Sequence, residues 1–122
     1  MSFSLLKIDH VQLAAPKGSE DRARQFYSDV LGLKEIEKPE ILSKRGGAWF
    51  LIGNQQVHID IEEPFNPAKK AHPAFVVENL NHLKAHLSKH NIEYQVDTLL
   101  PGANRIYIND PFGNRIELLE WK

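Results

Sequence analysis

The chain has no cysteine among its 122 residues. Disulfides and thiolate-bound metals are therefore excluded, and any metal ion must be held by histidine and carboxylate side chains. Lys and Arg total 15 and Asp and Glu total 16, giving a net charge of -1 without a basic stripe. This balance argues against nucleic acid or an anionic membrane as a partner.

Long apolar segments are also missing. No run approaches the length of a membrane span, and the N-terminus lacks the apolar stretch of a signal peptide, so we expect a cytoplasmic protein. Gly46-Gly47 and Gly53 lack the strand-to-helix context of a phosphate-binding loop, and no Ser-His-Asp or Cys-His nucleophile is evident. With 42% hydrophobic and 25% charged residues, the chain is typical of one compact globular domain.

The sequence does contain an internal repeat. Residues 9–13 (DHVQL) and 71–75 (AHPAF) each open a unit that continues with a helix-like stretch and closes with a strand after a Gly-Asn turn. We assign the modules to residues 1–63 and 71–122, joined by a polar linker at 64–70. Each module is predicted to form strand, helix and three strands, an α+β fold. Two such modules should pack about a pseudo-two-fold axis.

Hydrophobic periodicity and turn residues predict the individual elements. One helix should begin at a Ser19 cap and stop at Gly32, and the other should begin at an Asn79 cap. The predicted strands are Leu6–Ala15, Leu33–Glu37, one within Ile41–Ile52, Gln56–Glu62, His72–Val77, Glu93–Val96, Ile106–Asn109 and Arg115–Glu120.

The repeat brings together four candidate metal ligands, His10, His58, His72 and Glu117. His58 and Glu117 occupy matching places in their strands, and the aliphatic residues beside them point to the opposite face. Histidine and carboxylate in such a set match the facial arrangement that holds a divalent metal with open positions. His58 has a second interpretation, as a residue behind the ligands or facing the substrate, and Asp60 on the same face is a weaker substitute for it.

Other side chains are candidates for contacting a substrate. Arginines at several positions suit an anionic group, and aromatic residues suit an apolar cavity, although surface or strand-pairing charge and core packing are the more common explanations for them. The candidates that we retain are Arg45, Trp49, Arg105 and Tyr107.

Four motifs together resemble the vicinal oxygen chelate superfamily. This superfamily includes glyoxalase I, fosfomycin-resistance thiol transferases, bleomycin-resistance proteins, methylmalonyl-CoA epimerases and extradiol dioxygenases. The motifs cover essentially the whole chain: Ile8–Leu13 (IDHVQL), Phe26-Tyr27 with Leu31–Leu33 (LGL), His72–Val77 (HPAFVV) and Asp110–Glu117 (DPFGNRIE). The last motif is specific for the superfamily but says little about the reaction.

The resemblance implies a pair of βαβββ modules that form a curved mixed sheet around a metal-binding cleft. In short members two chains usually form a homodimer. The first-strand histidine of the family falls on His10, the fifth-strand histidine on His72 and the last-strand glutamate on Glu117. The fourth-strand ligand, glutamate in glyoxalase I, falls on His58, so the chain departs from strict glyoxalase I.

The expected function is that of a divalent-metal-dependent enzyme acting on a small substrate through two vicinal oxygens, as a lyase, isomerase, thiol transferase or dioxygenase. His10, His72 and Glu117 would hold the metal, and His58 would complete the set or move protons. Zinc, manganese, iron, nickel and cobalt all suit these ligands. The alternative is a non-catalytic protein that sequesters a drug, as bleomycin-resistance proteins do, but those proteins generally lack the ligand set.

Overall fold

A computed structural model describes residues 2–122 of the chain. The chain divides into two compact units, the first ending at Glu63 and the second beginning at Pro64. Each unit contains one four-stranded mixed sheet and helical segments. Across residues 2–122, no helix combines the length and the apolar character needed to cross a membrane.

The first unit is built on a sheet with the strand order β1-β4-β3-β2. β1 runs parallel to β4, and the other neighbouring pairs are antiparallel. The strands are β1 (His10–Ala15), β2 (Lys34–Ile36), β3 (Ala48–Ile52) and β4 (Gln55–Ile61). The helical segments are α1 (Glu20–Ala23), which continues as a π-helix over Arg24–Val30, and α2 (Glu40–Ser43).

One helix face covers this sheet. Phe26 and Tyr27 are buried, and the Tyr27 ring lies 5.5 Å from the ring of Phe50 on β3. Burying a side chain of the size of Phe50 contributes about 1.5–3 kcal/mol. This core holds β3 and β4 in place and leaves the other face of the sheet for polar side chains.

The second unit repeats this topology. Its sheet has the order β5-β8-β7-β6, with β5 parallel to β8 and the other pairs antiparallel. The strands are β5 (Ala74–Val76), β6 (Gln95–Asp97), β7 (Ala103–Asn109) and β8 (Arg115–Trp121), and the helix is α3 (Leu80–Lys89). The Asn79 side chain accepts a hydrogen bond from the His82 amide at 3.2 Å, which confirms the predicted cap. Two mixed sheets with a few helices confirm the predicted α+β fold.

The register of the two sheets is equivalent at the candidate ligands. Gln12 on β1 faces His58 on β4, and Ala74 on β5 faces Glu117 on β8. His10 and His72 each lie two residues before these positions. Because strand side chains alternate between faces, His10 shares a face with Gln12.

Several element boundaries were predicted wrongly. β1 begins at His10 instead of Leu6, because its only neighbour is β4 and the residues before Gln55 belong to a turn. Leu5 and Leu6 remain 94% and 88% exposed. β5 begins at Ala74 because Pro73 lacks the N–H that a paired strand donates.

Ser19 occupies the N-cap position of α1 as predicted, but its side chain does not cap the helix. The Ser19 hydroxyl donates to the carbonyl of Pro16, and it makes no hydrogen bond to an amide of the helix. In the stretch 41–52 the strand β3 is present as predicted, but the helix α2 precedes it. α2 is a single turn that carries no buried residue, so no periodic pattern announces it.

Candidate metal centre

The first half-site consists of His10 and His58, which neighbouring strands of one sheet hold side by side. Their rings stack with centroids 4.0 Å apart and an interplanar angle of 16°. Trp49 on β3 stacks on His58 at 3.7 Å and 3°. The strand order β1-β4-β3 therefore produces a three-ring stack with His58 in the middle.

Each imidazole of this half-site has one nitrogen engaged and one open. His10 Nδ1 lies 3.0 Å from Asp9 Oδ2, and His58 Nε2 lies 2.8 Å from Gln56 Oε1. Because both oxygens accept, the engaged nitrogens donate, and the lone pairs are left on His10 Nε2 and His58 Nδ1. A carboxylate that orients the far nitrogen of a histidine is the usual support of a metal ligand.

Electrostatics favour the neutral ring that binds a metal. Burial lowers the pKa of His58 below its ordinary value of 6.5, and the neighbouring His10 lowers it further. The hydrogen bond from His10 holds the pKa of the Asp9 carboxyl below its usual range. The lowered pKa favours an uncharged His58 ring at neutral pH, and Asp9 is a charged acceptor for His10.

The second half-site consists of His72 and Glu117. β8 carries Glu117 next to the segment of His72, and the Glu117 amide donates to the carbonyl of Pro73 at 3.0 Å. His72 Nε2 lies 3.0 Å from Glu117 Oε1, and His72 Nδ1 lies 2.9 Å from the carbonyl oxygen of Lys70.

Both nitrogens of His72 therefore face acceptors. A metal ion bound jointly by the imidazole and the glutamate would replace the contact at Nε2 and leave the contact at Nδ1 in place. The 3.0 Å separation also equals the edge of an octahedron whose metal–ligand bonds are about 2.1 Å long. The pair thus fits two adjacent ligands of one ion.

Arg105 holds the buried carboxylate of Glu117 from the other side. Its Nη1 lies 3.5 Å from Glu117 Oε2, and its Nη2 lies 3.2 Å from Asp97 Oδ2. Arg105 thus occupies Oε2 and leaves Oε1 towards His72. A buried charge without such a partner would be costly.

Each half-site supplies two ligands of the kinds that divalent transition metals accept. Within residues 2–122 of one chain, no group of three or more His, Asp or Glu side chains lies close enough to share an ion. A complete four-ligand set needs one half-site of each kind.

The predicted substrate residues fall in two places. Arg45 and Trp49 line a cavity of about 440 Å³ in the first unit together with the first half-site. Tyr107 lies in the second unit, with the guanidinium carbons of Arg105 and Arg115 at 5.4 and 4.0 Å from its ring centre. A cavity of about 1020 Å³ includes Tyr107 and Arg115 and none of the four candidate ligands.

Sequence reasoning missed three residues of the first unit that the structure places at the site. They are Asp9, Gln12 and Lys38. Gln12 was detectable, because it follows His10 by two residues in a strand and shares its face. Lys38 had no signal, since its position depends on contacts with Gly46 and Asp60 far along the chain.

The chain is similar in sequence and structure to known proteins. A sequence profile of the Glyoxalase/Bleomycin resistance protein/Dioxygenase superfamily matches residues 7–118. The crystal structure of a Bacillus anthracis protein assigned to the glyoxalase family is 52% identical, covers 100% of both chains and superimposes with a TM-score of 0.98.

More distant structures share the fold. Lactoylglutathione lyase from Agrobacterium tumefaciens is 22% identical over 93% of this chain and 92% of its own, with a TM-score of 0.75. The fosfomycin resistance protein FosX from Listeria monocytogenes is 15% identical over 98% of this chain and 96% of its own, with a TM-score of 0.78.

Proposed function

Because this chain belongs to the glyoxalase/bleomycin resistance protein/dioxygenase superfamily, we propose that it is a divalent-metal-dependent enzyme for a small oxygenated substrate. The metal, when bound, would take two neighbouring substrate oxygens and stabilise the negative charge that develops on them. The relatives include a lyase and a fosfomycin resistance protein, and a lyase, isomerase or transferase reaction suits the same ligand set.

The pair His72–Glu117 carries this proposal. Its imidazole nitrogen and carboxylate oxygen meet at 3.0 Å, while the Lys70 carbonyl holds the far side of the ring and Arg105 the far oxygen. Such two-sided support fixes ligand direction before the metal arrives, which is a requirement for precise metal sites.

In the proposed site His10, His72 and Glu117 hold the metal. His58 completes the set through Nδ1 or moves a proton at that atom, since Gln56 engages its Nε2. The lowered pKa of His58 keeps that nitrogen available as an acceptor at neutral pH.

We further propose that two copies of the chain share their half-sites as a homodimer. One residue of each half-site lies at the edge of its sheet: His10 is on the terminal strand β1, and His72 comes just before the terminal strand β5. Apolar side chains are exposed beside both edges: Leu5 and Leu6 precede β1, and Val76 lies on β5 with 68% exposure. Uncovered strand edges with apolar neighbours favour association with another chain.

Metal content tests the proposal directly. Protein purified without chelator should contain about one equivalent of a divalent metal per chain, and His72→Ala should lose it, because the proposed site then lacks one of its three main ligands. His90→Ala is the matched control, since His90 caps the far end of α3 in the same unit. Elemental analysis of the three proteins gives the answer.

Equal metal content in wild type and His72→Ala would overturn the assignment. Tight binding of a cationic drug by metal-free protein, with no metal uptake by wild type, would instead identify a sequestering protein of the bleomycin-resistance kind.

A further inference from the structure

The cavity of about 440 Å³ in the first unit has a second wall besides the half-site. His10 and His58 form one part of its lining, and Lys38, Arg45, Trp49 and Asp60 form another. The proposed metal site uses the part of the lining with His10 and His58. The second wall has no role in it. Two cations and one anion stand on this second wall.

Lys38 is a fixed cation in this wall. Its side chain is 9% exposed, Nζ donates to the carbonyl oxygen of Gly46, and it lies 3.5 Å from Asp60 Oδ1. A largely buried ammonium requires partners, and these two acceptors leave one of its three protons for a ligand. Asp60 is neutralised by this pair, so it does not repel an approaching anion.

Arg45 and Trp49 add donors that have no acceptor. Among residues 2–122 the Arg45 guanidinium has no ion-pair partner. The indole Nε1 of Trp49 is buried without a hydrogen-bond acceptor. A buried donor without a partner is uncommon in folded proteins, and Trp49 is one of the residues that line the cavity.

The polar groups of the second wall that still lack a hydrogen-bond partner are thus almost all donors. Once Asp60 is paired with Lys38, the remaining formal charge is the positive charge of Arg45. A cationic molecule would face this charge, and a purely apolar one would leave the donors unsatisfied. Acceptor oxygens with a negative charge fit both requirements.

We propose that this wall is an oxyanion subsite in which Lys38 and Arg45, beside the Trp49 ring, bind a phosphate, phosphonate or carboxylate group of the substrate. The inference rests on the proposed function and names its substrate class: a small molecule that carries an oxyanion group beside the pair of oxygens offered to the metal. His10 and His58 border the same cavity, so both parts of the substrate fit in one place.

Anion binding by the metal-free protein tests the subsite separately from the metal. Inorganic phosphate, methylphosphonate and malonate are titrated in turn and followed by Trp49 fluorescence. The chain has two tryptophans, so the titrations use a Trp121→Phe background, which removes the signal of the exposed second ring. We expect saturable binding of at least one anion, and the preferred anion distinguishes a phosphorus oxyanion from a carboxylate.

Charge variants show whether the assigned residues bind the anion. Arg45→Gln and Lys38→Met should each weaken binding at least about tenfold, the loss expected when a charged hydrogen bond is removed. Lys44→Gln is the control, since Lys44 is an exposed cation beside Arg45 and is absent from the cavity lining. Arg45→Glu keeps the test valid if Lys38→Met unfolds, because Arg45 is exposed and its charge reversal should abolish binding.

Each outcome decides between the two proposals. Absence of saturable binding for all three anions, or equal affinity in wild type, Arg45→Gln and Arg45→Glu, overturns the subsite even if the protein binds metal. Binding that depends on Arg45 in a protein that takes up no metal upholds the subsite and overturns the proposed metal function. The subsite variants should keep the wild-type metal content.

Discussion

Asp9 shows how a single exposed carboxylate can orient the histidine next to it, here the proposed metal ligand His10. It accepts from His10 Nδ1 at 3.0 Å and so leaves the lone pair on Nε2 of the same ring, which belongs to the cavity lining. An isolated histidine ring in that position would rotate and sample both nitrogens. The hydrogen bond selects one tautomer and one direction.

We predict that Asp9→Asn lowers metal affinity by about 10–100-fold while the fold is unchanged. The amide is similar in size, but it accepts the imidazole proton without a full charge. A competition titration against a chelating dye measures the affinity. Asp29→Asn, an exposed carboxylate on the π-helical segment, should leave affinity unchanged. Wild-type affinity in Asp9→Asn would show that the orientation of His10 has another origin.

Glu20 performs a comparable task for the backbone. Its Oε2 accepts from the Gly47 amide at 3.0 Å, and this bond lowers the pKa of the Glu20 carboxyl below its ordinary value of 4.5. Since the folded-state pKa is depressed, the stabilisation is fully present above about pH 4.5 and is lost as the pH falls through the folded pKa.

Glu20→Gln should therefore flatten the acid limb of the stability profile. At pH 7 the variant is expected to be less stable by up to about 1 kcal/mol, because a neutral acceptor is weaker than a charged one. The difference should close as the pH falls below the folded pKa. Urea unfolding at a series of pH values gives both numbers, and a difference that stays constant with pH would contradict this account.

At the scale of elements, the turn before β3 is constrained by close packing. A Cβ on Gly47 would lie 2.1 Å from the carbonyl oxygen of Ile59 on β4, and the Gly47 backbone has φ +85°. The glycine lets β3 approach β4 at the point where Glu20 and Lys38 fasten the turn.

Gly47→Ala is expected to cost about 3 kcal/mol or more, from backbone strain and overlap together. Gly53→Ala is the matched control. Gly53 also has positive φ, +57°, but its added Cβ would meet nothing within 4 Å, so about 1–2 kcal/mol is expected. Chemical denaturation compares the two, and equal losses would show that strain alone, without overlap, sets the cost.

The sequence predicted these elements to the extent that local chemistry determines them. The helix stop at Gly32 and the cap at Asn79 follow from residue type, and the structure has both, with φ +78° and +63°. The ends of β1 and β5 depend instead on which residues find a partner strand, and this is decided by register. Alternation of apolar and polar residues predicts a strand over its whole length, including residues that have no neighbouring strand to pair with.

The site divides in the same way. The duplicated motifs predicted that His10 corresponds to His72 and that His58 corresponds to Glu117. The strand registers of the two sheets agree with this correspondence. The side chains that hold these residues in position could not be predicted from the sequence. Arg105 was predicted to contact substrate, and the structure places it between Glu117 and Asp97, a role that depends on the pairing of β6, β7 and β8.

At the scale of the whole molecule, a shared site makes a quantitative prediction for mixed dimers. One variant carries His10→Ala and His58→Ala, and the other carries His72→Ala and Glu117→Gln. Neither should bind metal tightly alone. Refolded together in equal amounts, they should recover about a quarter of the wild-type capacity, because about half of the dimers are mixed and each holds one intact set.

The recovered capacity separates two assemblies. If each chain provided all its own ligands, every mixed dimer would hold two damaged sets and no capacity would return. A monomeric mass for the wild type in solution would exclude the shared arrangement at once. Equilibrium sedimentation before the mixing experiment gives that mass.

Arg105 connects Glu117, a proposed metal ligand, to an edge of the sheet that has no part in the proposed site. Its guanidinium bridges Glu117 to Asp97, the last residue of the three-residue edge strand β6. If Glu117 binds a metal ion, its ion pair with Arg105 weakens. Arg105 keeps its second ion pair, with Asp97, and that contact then becomes the stronger of the two. Backbone amide hydrogen exchange at residues 95–97 should therefore differ between metal-bound and metal-free protein. The exchange rate of the edge strand β6 would then report whether the metal site is occupied.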